Sequence, residues 1–167
     1  MNISYFITTE QMLNYVTSQG MDAADPNYVK NATLYRLSAY EKICNHLGYD
    51  ILETDYTDEY YDGTGTRKMY LINRPVTTLT EVKINDTVVD YLVVINNYLF
   101  HTDGYIPLGT NNIKVSYTAG YTQSSMPGDI RHAGLKLISL FSGEVGGAGT
   151  TIGKASVSTG AGESERV

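Results

Sequence analysis

The sequence predicts an α+β fold with N-terminal helices, a central antiparallel β-unit of short hairpins, a third helix and an extended C-terminal tail. Three observations indicate this order. Apolar residues recur at helical spacing before residue 48 and again after residue 127. Between these stretches the apolar period shortens to two, and Gly, Asn and Asp interrupt the runs at hairpin spacing. From residue 143 onward Gly, Ala, Ser and Thr dominate, leaving too few apolar residues for a core.

Length and composition are those of one globular domain. The chain has 167 residues, of which 42% are hydrophobic and 18% charged. Its longest apolar runs fall well short of the roughly 20 residues that a membrane-spanning helix requires. The N-terminus, MNISYFITTEQ, lacks the basic start and apolar stretch of a secretion signal. We therefore expect a soluble protein made in the cytoplasm.

Two helices are predicted before the β-unit. The first begins around Thr8, continues through Gln19 and stops at Gly20. The second runs over residues 27–47 and ends at Gly48. Arg36 interrupts its apolar stripe, and we expect this side chain to extend its methylene stem to the surface or to pair with a carboxylate. The predicted stripe consists of Val29, Ala32, Arg36, Tyr40, Ile43, Cys44 and Leu47.

The alternating pattern in the middle of the chain predicts three hairpins and a later strand. Turn residues separate each pair of alternating runs, and Asn-Asp and Asn-Asn are good two-residue hairpin turns. The hairpins join residues 59–61 to 68–71 across 62–65, 81–84 to 87–89 across 85–86, and 91–95 to 98–100 across 96–97, and the later strand covers 112–117.

A third helix follows the β-unit and precedes the tail. Pro127 suits the first turn, and Asp129 favours the positive end of the helix dipole. The helix is expected to end near Ser142, which divides the chain into one domain over residues 1–142 and a tail over 143–167. Its predicted apolar face, Ile130, Ala133, Leu137, Ile138 and Phe141, should pack against the second helix or the β-unit.

Motifs for catalysis, metal binding and cofactor binding are weak throughout the sequence. Cys44 is the single cysteine and lies in an apolar-periodic stretch, which is typical of a buried thiol. His46, His101 and His132 fall in three different predicted elements, without HExxH or CxxC spacing. The glycine pairs of GTGT and GGAG lack the Lys-Ser/Thr of a phosphate loop. We expect no enzyme activity and no cofactor.

The charge distribution disfavours tight nucleic-acid binding. The net charge is −6, and no Lys or Arg follows Asp50 until Arg67. The 15 tyrosines suit surfaces that are half buried and half wet, such as sheet edges and subunit interfaces, although a β-rich fold alone would also collect them. Six carboxylates lie in that acidic stretch: Asp50, Glu53, Asp55, Asp58, Glu59 and Asp62.

Several phrases, in their order along the chain, resemble the head-tail connector proteins of tailed bacteriophages, also called adaptor or head completion proteins. In that family, helices at the N-terminus precede a β-unit and a further helix. The resemblance covers most of the chain, from about residue 8 to the end of the third helix. The phrases are EYYDG at residues 59–63, LINRPV at 71–76 leading into LTEV at 79–82, VSYTAGY at 115–121 and MPGDI at 126–130.

The resemblance implies a structural virion protein of the neck, the head-tail junction, present in the host cytoplasm during assembly. It implies a homo-oligomeric ring, expected to be a dodecamer, below the portal protein and above downstream neck, stopper or tail proteins. Genomic DNA would pass through the ring channel without sequence-specific binding. An acidic subunit suits this role, because a channel that bound phosphates strongly would hold back the genome.

The tail carries the predicted portal contact. It contains an apolar and β-branched cluster in a Gly-rich stretch, a pattern typical of a segment that becomes ordered on a partner. A free linker is the alternative. The portal-binding residues are predicted to be Thr151, Ile152, Gly153, Lys154, Ala155, Ser156, Val157 and Ser158.

Two other functions remain open at the level of sequence. A carbohydrate- or receptor-binding module of a phage tail or bacterial surface would explain the many Tyr and Asn residues, and it should expose an aromatic platform. A hydrolase with acidic catalytic residues would require two or more carboxylates converging in a cleft. The clustered acids predict a solvated strand edge instead.

Overall fold

The structure, a computed structural model, describes residues 6–20, 22 and 24–145. These residues form three helices and seven strands in the predicted α+β order, which confirms the fold class. No helix in the described part is long and apolar enough to cross a membrane. The elements are α1 (Thr9–Ser18), α2 (Pro26–Leu47), β1 (Thr54–Gly63), β2 (Lys68–Tyr70), β3 (Val76–Ile84), β4 (Thr87–Val89), β5 (Leu92–Ile95), β6 (Tyr98–His101), β7 (Gly109–Ala119) and α3 (Gly128–Val145).

Local signals set the ends of α1. The Gln11 backbone N–H donates to Thr8 Oγ1 at 3.0 Å, and the Thr8 N–H donates back to Gln11 Oε1 at 3.0 Å. This capping box satisfies two amide groups that the first helical turn leaves without partners. At the other end Gly20 adopts a φ of +78°, which stops the helix where the sequence predicted.

Helix α2 occupies the predicted span, but its buried face differs from the predicted stripe. Val29 is 57% exposed and Leu47 is 37% exposed, so their assignment to the core was wrong. Tyr28, Tyr35 and Ala39 are buried instead, beside Ala32 and Arg36. The pattern missed this face because tyrosine suits both surface and core, and here two tyrosine rings pack together with centroids 5.7 Å apart.

Arg36 does not take the first of its two expected placements, extension to the surface. Only 7% of the residue is exposed, so its side chain does not reach the surface. Its Nη1 donates to Thr9 Oγ1 at 3.0 Å, which ties α2 to the first residue of α1.

The β-unit contains two antiparallel sheets, with strand orders β1-β7-β3-β4 and β2-β6-β5. Two of the predicted hairpins are confirmed, with Ile84 opposite Thr87 and Ile95 opposite Tyr98. Both residues of each turn have positive φ, from +48° to +70°, as a type I′ turn requires.

The first predicted hairpin is wrong. Strand β1 pairs with β7 across the chain, and β2 pairs with β6. Gly63 lies opposite Gly109, and its N–H donates to Asn112 Oδ1 at 2.8 Å. A Cβ at Gly63 would overlap the Pro107 carbonyl oxygen, so the glycine serves close packing between distant segments. The turn therefore carries the chain from one sheet to the other.

Two hydrophobic cores lie on either side of Gly120. One core fills the β-unit, and the other lies among the three helices. Gly120 has a φ of +108°, and an added Cβ would overlap the Leu52 carbonyl oxygen. Tyr121 then donates its N–H to the Ile51 carbonyl oxygen at 2.8 Å. The sharp reversal at this glycine thus joins the end of β7 to the helical layer.

Helix α3 packs against α2, as predicted, and extends to Val145, three residues beyond the expected end at Ser142. Ile138 is completely buried, and Ile130, Leu137 and Phe141 are half-buried. Ala133 is exposed, so its assignment to the packed face was wrong. The helix presents this side to a groove along α2 instead of to the core centre.

Candidate interaction surfaces

The residues considered for catalysis or metal binding are dispersed. Cys44 is half-buried, and burial raises the pKa of its thiol, which disfavours the reactive thiolate. His46 lies on α2, His101 in β6 and His132 on α3. The described residues include no group of three or more His, Cys, Asp or Glu side chains that could hold a metal ion.

Asp55 and Glu81 are two carboxylates that share one surface depression, while Asp58 and Glu81 share the Lys83 ammonium group. Asp55 and Glu81 line an open depression of about 470 Å³ on the larger sheet. Thr118 Oγ1 donates to Asp55 Oδ1 at 2.7 Å, and Lys83 Nζ forms an ion pair with Glu81 Oε1 at 2.5 Å. The depression is open, and Asp55 accepts a hydrogen bond from a hydroxyl group while Glu81 pairs with an ammonium group, so the geometry does not favour a hydrolase.

A buried hydrogen-bond network organises the centre of the β-unit. The hydroxyls of Tyr61 and Tyr117 both donate to Glu59 Oε2 and lie 2.8 Å apart. Asn73 Nδ2 donates to Tyr117 Oη at 3.1 Å and to Glu59 Oε1 at 3.3 Å. The Ile72 N–H donates to Tyr61 Oη at 3.1 Å. The network fastens the connection between β2 and β3 to strands β1 and β7.

This network is structural in character. Burial, reinforced by hydrogen bonds to Glu59, raises the pKa of Tyr61 and of Tyr117 above the ordinary value. Both phenols therefore remain neutral donors at physiological pH. Tyr56 stacks on the Tyr117 ring with centroids 5.2 Å apart, so the ring is packed as well as hydrogen-bonded.

The outer face of the smaller sheet is aromatic and aliphatic. Tyr70 is 60% exposed and packs edge-on against Tyr98, with centroids 5.6 Å apart. Arg67 lies 5.1 Å from the Phe100 ring centroid, and Lys68 lies 5.6 Å from that of Tyr98. Exposed aromatic side chains beside cations are typical of interaction surfaces.

Two further apolar features lie elsewhere. The loop over residues 104–108 exposes Tyr105 and Leu108, and an apolar groove of about 530 Å³ runs between α2 and α3. The sequence reasoning identified neither as a site. For the loop a signal existed, because YIPL places apolar residues in a segment without strand periodicity. For the groove none existed, since it depends on how two distant helices pack.

The predicted portal-binding segment, Thr151 to Ser158, lies outside the described residues. The structure therefore does not test that prediction. The described part ends at Val145, where α3 leads into the tail.

Comparison with known proteins gives one family and one fold. A family model described as "Head completion protein" matches residues 5–163. No curated protein sequence matches the chain. The described fold is similar to a chain in the solved structure "Neck of empty GTA particle computed with C6 symmetry", with a TM-score of 0.56 and 15% sequence identity. The similarity covers 81% of this chain and 77% of that chain.

Proposed function

The chain belongs to the head completion protein family, and from this we propose that it is a structural virion protein at the head-tail junction of a tailed bacteriophage. The observation that carries the proposal is the family match over residues 5–163, nearly the whole chain. The fold of the similar neck chain supports it. Three surfaces of the protein suit assembly with other subunits. They are the aromatic outer face of the smaller sheet, the loop over residues 104–108 and the apolar groove between α2 and α3.

In the finer proposal, copies of the chain form a homo-oligomeric ring, a dodecamer, below the portal protein and above downstream neck, stopper or tail proteins. Twelve copies are compatible with the C6 symmetry with which the similar neck structure was computed. DNA passes through the ring without sequence-specific binding. Exposed carboxylates on the edge strand β1, among them Asp55 and Asp58, support this, because they repel phosphates.

We further propose that residues 1–142 form the ring and that residues 143–167 attach it to the portal through Thr151 to Ser158. Ile152 and Val157 would anchor the segment, and many copies acting together would offset the entropy lost on ordering it.

Deletion of residues 149–167 tests the attachment. The truncated protein should keep its circular dichroism spectrum and thermal transition, because both described cores lie before residue 146. It should no longer co-sediment with portal rings. Deleting only residues 160–167 is the matched control and should preserve attachment. A protein lacking 149–167 that still binds the portal would make the tail a linker.

A carbohydrate- or receptor-binding module is the second candidate, favoured by exposed Tyr70 packed against half-buried Tyr98. The proposal assigns this face to assembly and assigns the protein no catalytic turnover. Tyr70→Ala separates the two functions: loss of neck assembly supports the junction protein, and loss of glycan binding with assembly intact supports the module.

A further inference from the structure

The loop over residues 104–108 is a rigid apolar projection. Tyr105 is 71% exposed and Leu108 is 81% exposed, whereas Ile106 between them is completely buried. The Ile106 N–H donates to the Thr66 carbonyl oxygen at 2.8 Å, and the Gly104 N–H donates to His101 Nδ1 at 2.8 Å. The fold thus holds two large apolar side chains in water. A projection that is already ordered loses little conformational entropy on binding.

The groove between α2 and α3 is a matching depression. Its volume is about 530 Å³, which lies within the range of clefts that bind small, largely apolar ligands, and it is open to solvent. Its apolar lining consists of Ile43, Leu47, Ile130, Ala133 and Leu137.

The projection and the groove lie at opposite ends of β7. The strand begins at Gly109, directly after the loop, and ends at Ala119, from which Gly120 and Tyr121 lead into the helical layer. Ten steps of strand span about 33 Å. Two different surfaces at opposite ends of a subunit allow head-to-tail association, which produces a ring when the rotation between copies closes.

The charged side chains beside the projection are mainly negative, and those beside the groove are mainly positive. Exposed Asp103 adjoins the projection, and exposed Asp62 lies beside it, where Oδ1 accepts the Asn111 N–H at 2.6 Å. Exposed Lys42 and Lys136 flank the groove, together with His46 and one carboxylate, Asp129. Arg67 is also near the loop, but its guanidinium is held over the Phe100 ring and donates to the Thr102 carbonyl oxygen at 2.6 Å. Copies with a net charge of −6 need such local attraction to associate.

We propose that neighbouring copies associate head to tail, with Tyr105 and Leu108 of one copy inserted into the α2–α3 groove of the next. The inference rests on the proposed function, since it supplies the contact between copies in the ring. The occupant of the groove is a second copy of this chain. The chain's own tail is the alternative occupant that the experiment separates.

The test uses two full-length variants with opposite defects. Leu108→Asp places a charge on the projection, and Ala133→Glu places one in the groove. Both positions are exposed, so both variants should fold. Each should weaken self-association at least tenfold, measured by sedimentation over a range of concentrations, alone and on portal rings. Val88→Asp and Leu34→Glu alter exposed apolar residues outside the loop and the groove lining, both 58% exposed, and should assemble as the unaltered protein does.

Mixing the two variants gives the decisive result. The Ala133→Glu variant keeps an unaltered loop, and the Leu108→Asp variant keeps an unaltered groove. The mixture should therefore form 1:1 dimers that neither variant forms alone. Rings from both single variants would overturn the proposal and leave the family's role intact. If Ala133→Glu and deletion of residues 146–167 both prevent assembly but Leu108→Asp does not, the tail occupies the groove and the proposal is wrong. An unaltered chain that associates neither with itself nor with portal and neck proteins would overturn the proposed function itself.

Discussion

The two cores of this protein bury their large side chains in different ways. In the helical core the completely buried side chains, such as Phe6, Ile7 and Ile138, are apolar. In the β-unit core Tyr117 is 1% exposed, yet its hydroxyl belongs to a network with Glu59 and Asn73. The helical core therefore depends mainly on filled volume, together with the Arg36–Thr9 hydrogen bond, whereas the β-unit core depends in addition on a hydrogen-bond network at its centre. The difference predicts distinct responses to substitution and to pH.

The largest effect is expected at the junction of the two cores. Gly120→Ala should lower the free energy of unfolding by about 3 kcal/mol or more, because it adds backbone strain to an overlap with the Leu52 carbonyl. Gly20→Ala is the matched control, since Gly20 also has positive φ but no atom of the described residues lies within 4 Å of its missing Cβ. It should cost about 1 kcal/mol, measured by urea denaturation. Equal costs would show that close packing at Gly120 contributes nothing.

In the helical core the expected cost follows the burial of each side chain along α3. Ile138→Ala should lower the free energy of unfolding by about 2 to 5 kcal/mol, because it leaves a cavity at a completely buried site. Leu137→Ala, at a half-buried position that borders the groove, should lower the free energy of unfolding by about 1 kcal/mol. Leu140→Ala, at a position that is 58% exposed, should lower it by less than about 0.5 kcal/mol. A larger loss at Leu140 than at Ile138 would contradict the placement of the helix.

In the β-unit core, removal of a single hydroxyl oxygen should lower the stability of the protein. Tyr117→Phe keeps the packed ring but removes one donor to Glu59 and the acceptor of the Asn73 amide. The expected loss is about 1 to 3 kcal/mol, measured by thermal or urea unfolding. Tyr105→Phe, which alters an exposed ring, controls for removal of a hydroxyl and should be neutral. A neutral Tyr117→Phe would mean that the network adds nothing beyond packing.

The smallest and most gradual effect is expected from alkaline pH. Tyrosine in the unfolded chain titrates near pH 10, whereas burial raises the pKa of Tyr61 and Tyr117 in the folded protein. Their contribution to stability is complete below about pH 10 and is lost as pH rises through the higher folded pKa values. Burial also raises the pKa of Tyr28 and of Tyr56 to about 12, so both cores contribute to the slope.

Replacing Tyr61 and Tyr117 together tests how much of the loss of stability at alkaline pH comes from the β-unit. The double variant Tyr61→Phe, Tyr117→Phe should lose stability less steeply above about pH 10 than the unaltered protein, measured as unfolding free energy against pH. An unchanged slope would place the alkaline sensitivity elsewhere.

The sequence by itself determined the elements, because their signals act within a few residues. The start of α1 at Thr8, the stops at Gly20 and Gly48, and the Asn-Asp and Asn-Asn turns all occur where the sequence predicted them. The order of these elements, with the connector-like phrases, also predicted the family. These signals are local backbone preferences and operate whatever the rest of the chain does.

Only the tertiary structure decided which surfaces meet. Nothing near Tyr61 in sequence indicates that its hydroxyl lies 2.8 Å from that of Tyr117, 56 residues away, or that β1 pairs with β7 instead of β2. The alternating pattern predicts a strand but not its partner, since every strand with one apolar face carries the same pattern. The projecting loop and the α2–α3 groove likewise arise from packing between distant segments, and a sequence read locally does not contain them.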